Sequence, residues 1–347
     1  TGPLLQRWIA HRFPEKTVYR LFALSNFGSL AGLLAFPFVI EPFAPSATQA
    51  WVWSGAYALF AIACAATAWQ AQRTLAAREG EPAAGAAAPE RQAEEHPPGA
   101  GDYALWLALS ALGSVLLLAT TSHVTQNIAS VPFLWVLPLT LYLLTFVLAF
   151  EGRGGRGWYE RRWWLLPTLL LVVAMSWALS ASRGVLDIGV AVPLYCAGLF
   201  FACMFCHGEL AHAKPAPRYL THFYLTLSAG GALGGLAVGL LAPRVFPAYF
   251  ELPLALFALA AIASWLVVDN RTLIGPALIA SAATAYSGWQ YVDFVQQGTI
   301  VMQRSFHGTL RVRETGSEEQ QVRRLLHGVI MHGEQFTRAD DRLEPGT

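Results

Sequence analysis

The sequence predicts an all-α polytopic membrane protein of about nine transmembrane helices, followed by the β-hairpin start of a further domain. Three observations carry that prediction. Apolar residues make up 55% of the 347-residue chain and charged residues only 13%, about half the charge of a soluble domain. The apolar residues are gathered into long runs, and a run of about 20 is what one bilayer crossing needs. Near the C-terminus, "SFHGTLRVRETGSEEQQVRRLLHGVIMHGEQF" (Ser305–Phe336) instead alternates apolar and charged residues, the period of a half-buried strand.

The apolar runs lie near 21–43, 50–71, 103–121, 131–150, 163–181, 185–206, 219–241, 249–268 and 272–291, and assign residues 1–295 to a multi-span domain. Between the second and third runs, "RTLAAREGEPAAGAAAPERQAEEHPPGAGD" is rich in Ala, Pro, Gly and Glu. It has too little apolar surface to fold alone, so 72–101 is expected to be a disordered linker. The chain opens on Thr1 without a signal peptide and closes on "RLEPGT" without a terminating element; it reads as a fragment truncated at both ends.

The charge distribution gives an orientation. One alternate set of connections holds fourteen cations, among them Arg12, Lys16, Arg73, Arg153, Arg162, Lys214 and Arg271; the other holds only Arg183 and Arg244. The positive-inside rule makes the first set cytoplasmic, and nine crossings then leave the tail outside. A net charge of +1 gives no electrostatic case for nucleic acid. The partner implied is the lipid bilayer, and richness in Ala, Arg and Gly points to a bacterial inner (plasma) membrane.

An internal repeat is present. "LSNFGSLAGL" (Leu24–Leu33) recurs as "LSAGGALGGL" (Leu227–Leu236), six of ten positions being identical. Six spans separate the copies, so both run the same way, the major-facilitator-like pattern of two parallel halves. Gly28/Gly32, Gly231/Gly235 and Gly230/Gly234 each set small residues four apart, which lets helices approach closely in lipid; packing alone also accounts for them.

Four segments could carry chemistry. "TTSHVTQNIASVPFLWVLP" places His123, Thr125, Gln126 and Asn127 in an uncharged connection at the outer side. They are candidates for contact with a small-molecule substrate, or for satisfying backbone groups freed near Pro132 and Pro138. Asn26 in the first span and His222 at the start of the seventh are further polar groups at membrane depth, where such residues are functional hypotheses by default. "CMFCHGELAH" offers Cys203, His207, Glu209 and His212 as weak metal candidates. One helix cannot aim all four at one ion, so no metal site is assigned. Its C-x-x-C-H pattern matches haem c attachment, but the charge count puts it on the cytoplasmic side. All four cysteines lie in apolar runs and read as buried thiols. In the tail, Leu310 and Val312 alternate with Arg311 and Arg313, "TGSEE" supplies a turn, and "QQVRRLLHGVIMHG" resumes a strand.

Taken together, "GPLLQRW", "SNFGSLAGLLAFPFVIEP", "TSHVTQNIASVPFLWVLPLTLYLLTF", "CHGELA", "LTHFYLTLSAGGALGGL" and "SFHGTLRV…RRLLHGVIMHG" resemble membrane proteins described as fused major-facilitator/spermidine-synthase-like. The resemblance covers essentially the whole chain. It implies spans upstream and a Rossmann-like, aminopropyltransferase-type domain downstream, of which 296–347 is the truncated N-terminal β-unit. It also implies an S-adenosyl-type co-substrate for the full-length protein, and places the nucleotide loop and catalytic acid beyond Thr347. No catalytic or cofactor-binding residue is therefore assigned, and no cofactor is expected in this chain. Where soluble spermidine synthases carry Tyr-Gln, this chain has His307 and Gly308; where they carry Leu-Asp-Gly-x-x-Gln, it has Leu326, His327, Gly328 and Met331. The expected function is the membrane-integrated portion of a polyamine-related or S-adenosyl-dependent transferase. The alternatives are a small-solute or polyamine transporter and a non-catalytic membrane scaffold.

Overall fold

Long apolar runs fold as helices because the bilayer leaves no other way to satisfy each backbone N–H and C=O within one segment. In the computed structural model, which describes residues 18–79, 97–127, 133–151, 157–181, 186–305, 308–316 and 321–338, the helices are α1 (Val18–Ala35), α2 (Ser46–Glu79), α3 (Ala100–Asn127), α4 (Phe133–Phe150), α5 (Arg161–Ala181), α6 (Ile188–His212), α7 (Leu220–Leu236), α8 (Glu251–Leu266) and α9 (Ile274–Gln296). A π-helical turn, Phe36–Ile40, prolongs α1; another, Ala237–Leu241, leads α7 into a last turn, Ala242–Val245. Among the described residues six helices, α2 to α7, are long and apolar enough to cross a membrane, and the chain is accordingly a multi-pass membrane protein. The apolar stretches of α1 and α8 are shorter; α8, with 16 residues, is about 24 Å long.

Two expected boundaries shift. α2 continues to Glu79 and α3 begins at Ala100, so both ends of the expected 72–101 linker are helical. Its first residues, "QRTLAARE", are strong helix formers, and Asp102 accepts a bond from the Gly99 N–H at 2.8 Å at the start of α3, satisfying a free helix-end donor. Residues 80–96 lie outside the described residues. α3 also runs on past the expected 121, so His123, Thr125, Gln126 and Asn127 belong to its last two turns and not to a connection. Thr121 and Thr125 donate to the carbonyls of Leu117 and Thr121 at 2.7 and 2.8 Å. Their hydroxyls are thus absorbed by the helix itself.

α3 is the hub, packed by α7, α6, α8 and α4, while α5 links α6 to α9. The core between them holds Trp106, Leu109, Leu116, Leu199, Phe205 and Phe223, all buried. The α3–α7 contact depends on Gly230 and Gly234: a Cβ on the first would meet Ser110 Oγ at 1.9 Å, and on the second the Ala111 carbonyl at 2.4 Å. α1 rests on α4. The spanning stretch of α2 buries none of its residues and exposes Trp51, Trp53, Tyr57 and Phe60; in a bilayer that face meets lipid.

After α9 the chain turns into a four-stranded antiparallel meander in the order β1-β2-β3-β4: β1 (Thr299–Ser305), β2 (Gly308–Thr315), β3 (Val322–His327) and β4 (Ile330–Phe336). The single strand expected from "QQVRRLLHGVIMHG" is two, joined at Gly328–Val329. Gly328, at φ +60, supplies the positive φ that a two-residue hairpin turn requires. Opposite charges pair across the ladder, Glu314 with Arg323 and Arg324 with Glu334.

The sheet turns its arginine face inward. Arg304, Thr309 and Arg311 share one face by register and all meet the helices, whereas Leu310, Leu325 and Ile330 look outward, Leu310 being 49% exposed. The alternation expected from the tail is present, but its apolar side is not the side on the bundle.

Candidate functional site

The sheet lands on one end of the bundle, where α3 and α9 finish and α8 begins. Two glycines allow the approach. Gly308 has φ +137, and a Cβ there would meet His327 Nε2 at 2.2 Å and Gln126 Oε1 at 3.3 Å; a Cβ on Gly328 would lie 3.4 Å from Asn127 Oδ1. The fastening is ionic. Arg304 donates to both oxygens of Glu251 at 2.9 and 2.6 Å and to the Ala248 carbonyl at 3.0 Å, with its guanidinium 4.0 Å from the centre of the Tyr249 ring. The two side chains are only 4% and 6% exposed. A bidentate pair with a further donor also used is the geometry in which a buried ion pair can offset its desolvation.

Beside this pair, between helices and sheet, is a cavity of about 60 Å³. His123 and Asn127 of α3, Tyr249, Tyr291 and Val295 line it from the bundle; Met302, Thr309, Arg311 and Gly328 line it from the sheet. His123 Nδ1 lies 3.1 Å from Asn127 Nδ2, one helical turn on, and its ring is 4.5 Å from that of Tyr195. The Gln126 amide stands near the Tyr249 phenol. Burial pushes that phenol up, opposed by the charge of Arg304 and by the Gln126 amide. Arg311 donates to the Val295 carbonyl at 3.1 Å, and no carboxylate among the described residues pairs with it; burial, and then the like charge of Arg313, push its pKa down. Thr309 is 7% exposed, and among the described residues its Oγ1 has no hydrogen-bond partner.

Of the residues the sequence offered, His123, Gln126 and Asn127 therefore come together at this junction. Thr125, on the same turns, bonds within its own helix. Asn26 sits half-buried on α1 and His222 on α7 bonds the Tyr103 hydroxyl at 2.9 Å; neither lines the cavity. The "CMFCHGELAH" side chains diverge. His207, fully buried, bonds Thr145 Oγ1 at 2.9 Å through Nδ1. Glu209 accepts from the Tyr159 hydroxyl and Arg161 Nε, both at 2.7 Å, and His212 packs by Tyr159. Cys203 is buried in the core. Among the described residues no three His, Cys, Asp or Glu side chains are placed to hold a metal. Of the positions that depart from the synthase pattern, Gly308 and His327 lie where the sheet meets α3, and His307 lies outside the described residues.

Sequence reasoning missed Tyr249, Glu251, Tyr291, Arg304, Thr309 and Arg311. One sign was available: Glu251 is a lone carboxylate at the head of an apolar run, where an unpaired charge is costly.

No protein-family model matches the chain, and no curated protein or solved structure is significantly similar to it.

Proposed function

We propose that this chain is the membrane-integrated portion of a fused major-facilitator/spermidine-synthase-like protein, and that its bundle anchors and orients a C-terminal synthase-like domain at one membrane face. The observation that carries this reading is the division of the sheet's two faces. One is locked to the bundle by the Arg304–Glu251 pair. The other leaves Val301, Leu310, Leu325 and Ile330 exposed, and an apolar sheet face is stable in water when a further layer covers it. In this reading that layer is the rest of an α/β domain, and the junction cavity is the small-molecule site. All nine helices cross a bacterial inner membrane, with α1 and α7 opening two parallel halves.

The cation-rich connections of Arg162, Lys214 and Arg271 lie at the opposite end of the bundle from the sheet, so the positive-inside rule favours an external sheet. Paired reporter fusions after Phe336, one active only in the cytoplasm and one only outside, test this. An S-adenosyl-dependent transferase further requires calorimetric binding of an S-adenosyl compound by the full-length protein, lost when the region after Gln296 is deleted. A cytoplasmic reporter would reverse the orientation; absence of S-adenosyl binding would leave anchoring without that chemistry.

A further inference from the structure

We infer that the junction cavity is an oxyanion site, taking an inorganic phosphate or the phosphate or carboxylate group of a larger molecule. This deepens, and rests on, the reading of that cavity as the small-molecule site.

Charge is the first argument. Arg304 is neutralised by Glu251, but Arg311 reaches the cavity with, among the described residues, only a carbonyl as hydrogen-bond partner, and Arg313 stands behind it with its guanidinium over the Phe294 ring. A half-buried guanidinium without a carboxylate gives up part of its hydration for no counter-charge, and a planar fork of N–H donors matches an oxyanion. The ends of α3 and α9 bring partial negative charge, but a terminus amounts to about half a charge, and the Val295 carbonyl is already taken by Arg311.

The second argument is the unfilled hydroxyl. Thr309 is buried on the cavity wall with an Oγ1 that bonds nothing, and buried polar groups in folded proteins almost always find partners. Asn127 and the Tyr249 phenol add neutral groups able to donate on the same wall. Size is the third: about 60 Å³ holds roughly four waters, the space of one phosphate or carboxylate group. A polyamine brings the wrong charge and excess length.

The test uses the whole chain in phosphatidylcholine nanodiscs. Potassium phosphate is titrated against potassium chloride at matched ionic strength, reading thermal stability and calorimetric heat. The expected result is saturable stabilisation by phosphate. Arg311→Gln weakens it about ten-fold or more, since a bond to a charged group is lost. Thr309→Val, which removes a hydroxyl holding nothing in the protein, weakens it about five-fold with folding unchanged. In a second arm phosphate is omitted and phosphatidylglycerol is included; stabilisation there that Arg311→Gln abolishes identifies a lipid headgroup as the source of the same oxyanion. The inference is overturned if neither arm stabilises the protein, if both variants respond like the parent, or if spermidine binds in place of phosphate. Trypsin protection of the sheet, read in parallel, separates the two claims. A protected sheet with no anion effect sinks this inference alone, and an unprotected sheet sinks the anchoring as well.

Discussion

At both ends of the helical bundle an arginine holds a buried glutamate, but the donors around the two pairs are used differently. Away from the sheet, Glu209 takes Arg161 through both oxygens and the Tyr159 hydroxyl as a third donor, and Arg161 spends another N–H on the Leu266 carbonyl. Burial and the neighbouring Glu209 charge push the Tyr159 phenol up, so it stays a donor. At the sheet end the Arg304–Glu251 pair is bidentate as well, yet among the described residues Arg311 has no carboxylate and Thr309 no hydrogen-bond partner. A closed network fixes structure. Donors left over beside a cavity are what binding a ligand requires.

The largest effect that can break this comparison is at the sheet end. Glu251→Ala leaves Arg304, 4% exposed, without its counter-charge, at a cost of about 3–5 kcal/mol. That cost falls on docking, so trypsin should cut at Arg304, Arg311 and Arg323 at protein concentrations where the parent resists. A sheet that stays protected would mean the ion pair does not hold it.

Next in size is Arg161→Ala. It strands Glu209, which is 3% exposed, with the tyrosine hydroxyl alone; Arg161 itself is 37% exposed, so part of the attraction is already screened and the loss is about 2–3 kcal/mol. Glu209→Gln should cost less, because Arg161 can turn to water. Denaturation in detergent ranks the pair, and the reverse order would show that Arg161 is the group needing rescue.

How much of this was legible follows from what each signal measures. Apolar runs report membrane helices directly, and the helices lie close to them. The end of α3 was misread because His123, Thr125 and Asn127 look like loop chemistry until their bonds to one another and to their own backbone are known. The repeat is the sharper lesson. Its shared glycines, Gly28 and Gly32 in one copy and Gly231 and Gly235 in the other, have at most one ordinary contact at the Cβ position, while the glycines that bring α7 against α3 are Gly230 and Gly234. There the first copy carries Phe27 and Ala31. Identity at a fixed offset marks common patterning; close packing depends on which face the neighbouring helix occupies, and one sequence does not contain that. For the same reason the alternation of Leu310 and Val312 with Arg311 and Arg313 does not reveal that the arginine side meets the bundle, since alternation defines two faces without saying which is covered.

The smallest effect makes the finest cut between the ends, through two buried threonines. Thr145 Oγ1 holds His207 Nδ1 at 2.9 Å, and His207 Nε2 has no partner of its own. Thr145→Val therefore leaves the imidazole with nothing on either nitrogen and should cost about 1–3 kcal/mol. Thr309 is also buried and, among the described residues, bonds nothing; exchanging its hydroxyl for a methyl should change stability by no more than about 0.5 kcal/mol, and in the stabilising direction if it moves at all. Paired denaturation curves of the two variants without ligand decide this. If Thr309→Val proves as costly as Thr145→Val, the hydroxyl belongs to the fold, and the junction is as closed as the opposite end. If it is neutral, the protein keeps a buried hydroxyl that its own stability does not require, beside a cation it does not neutralise.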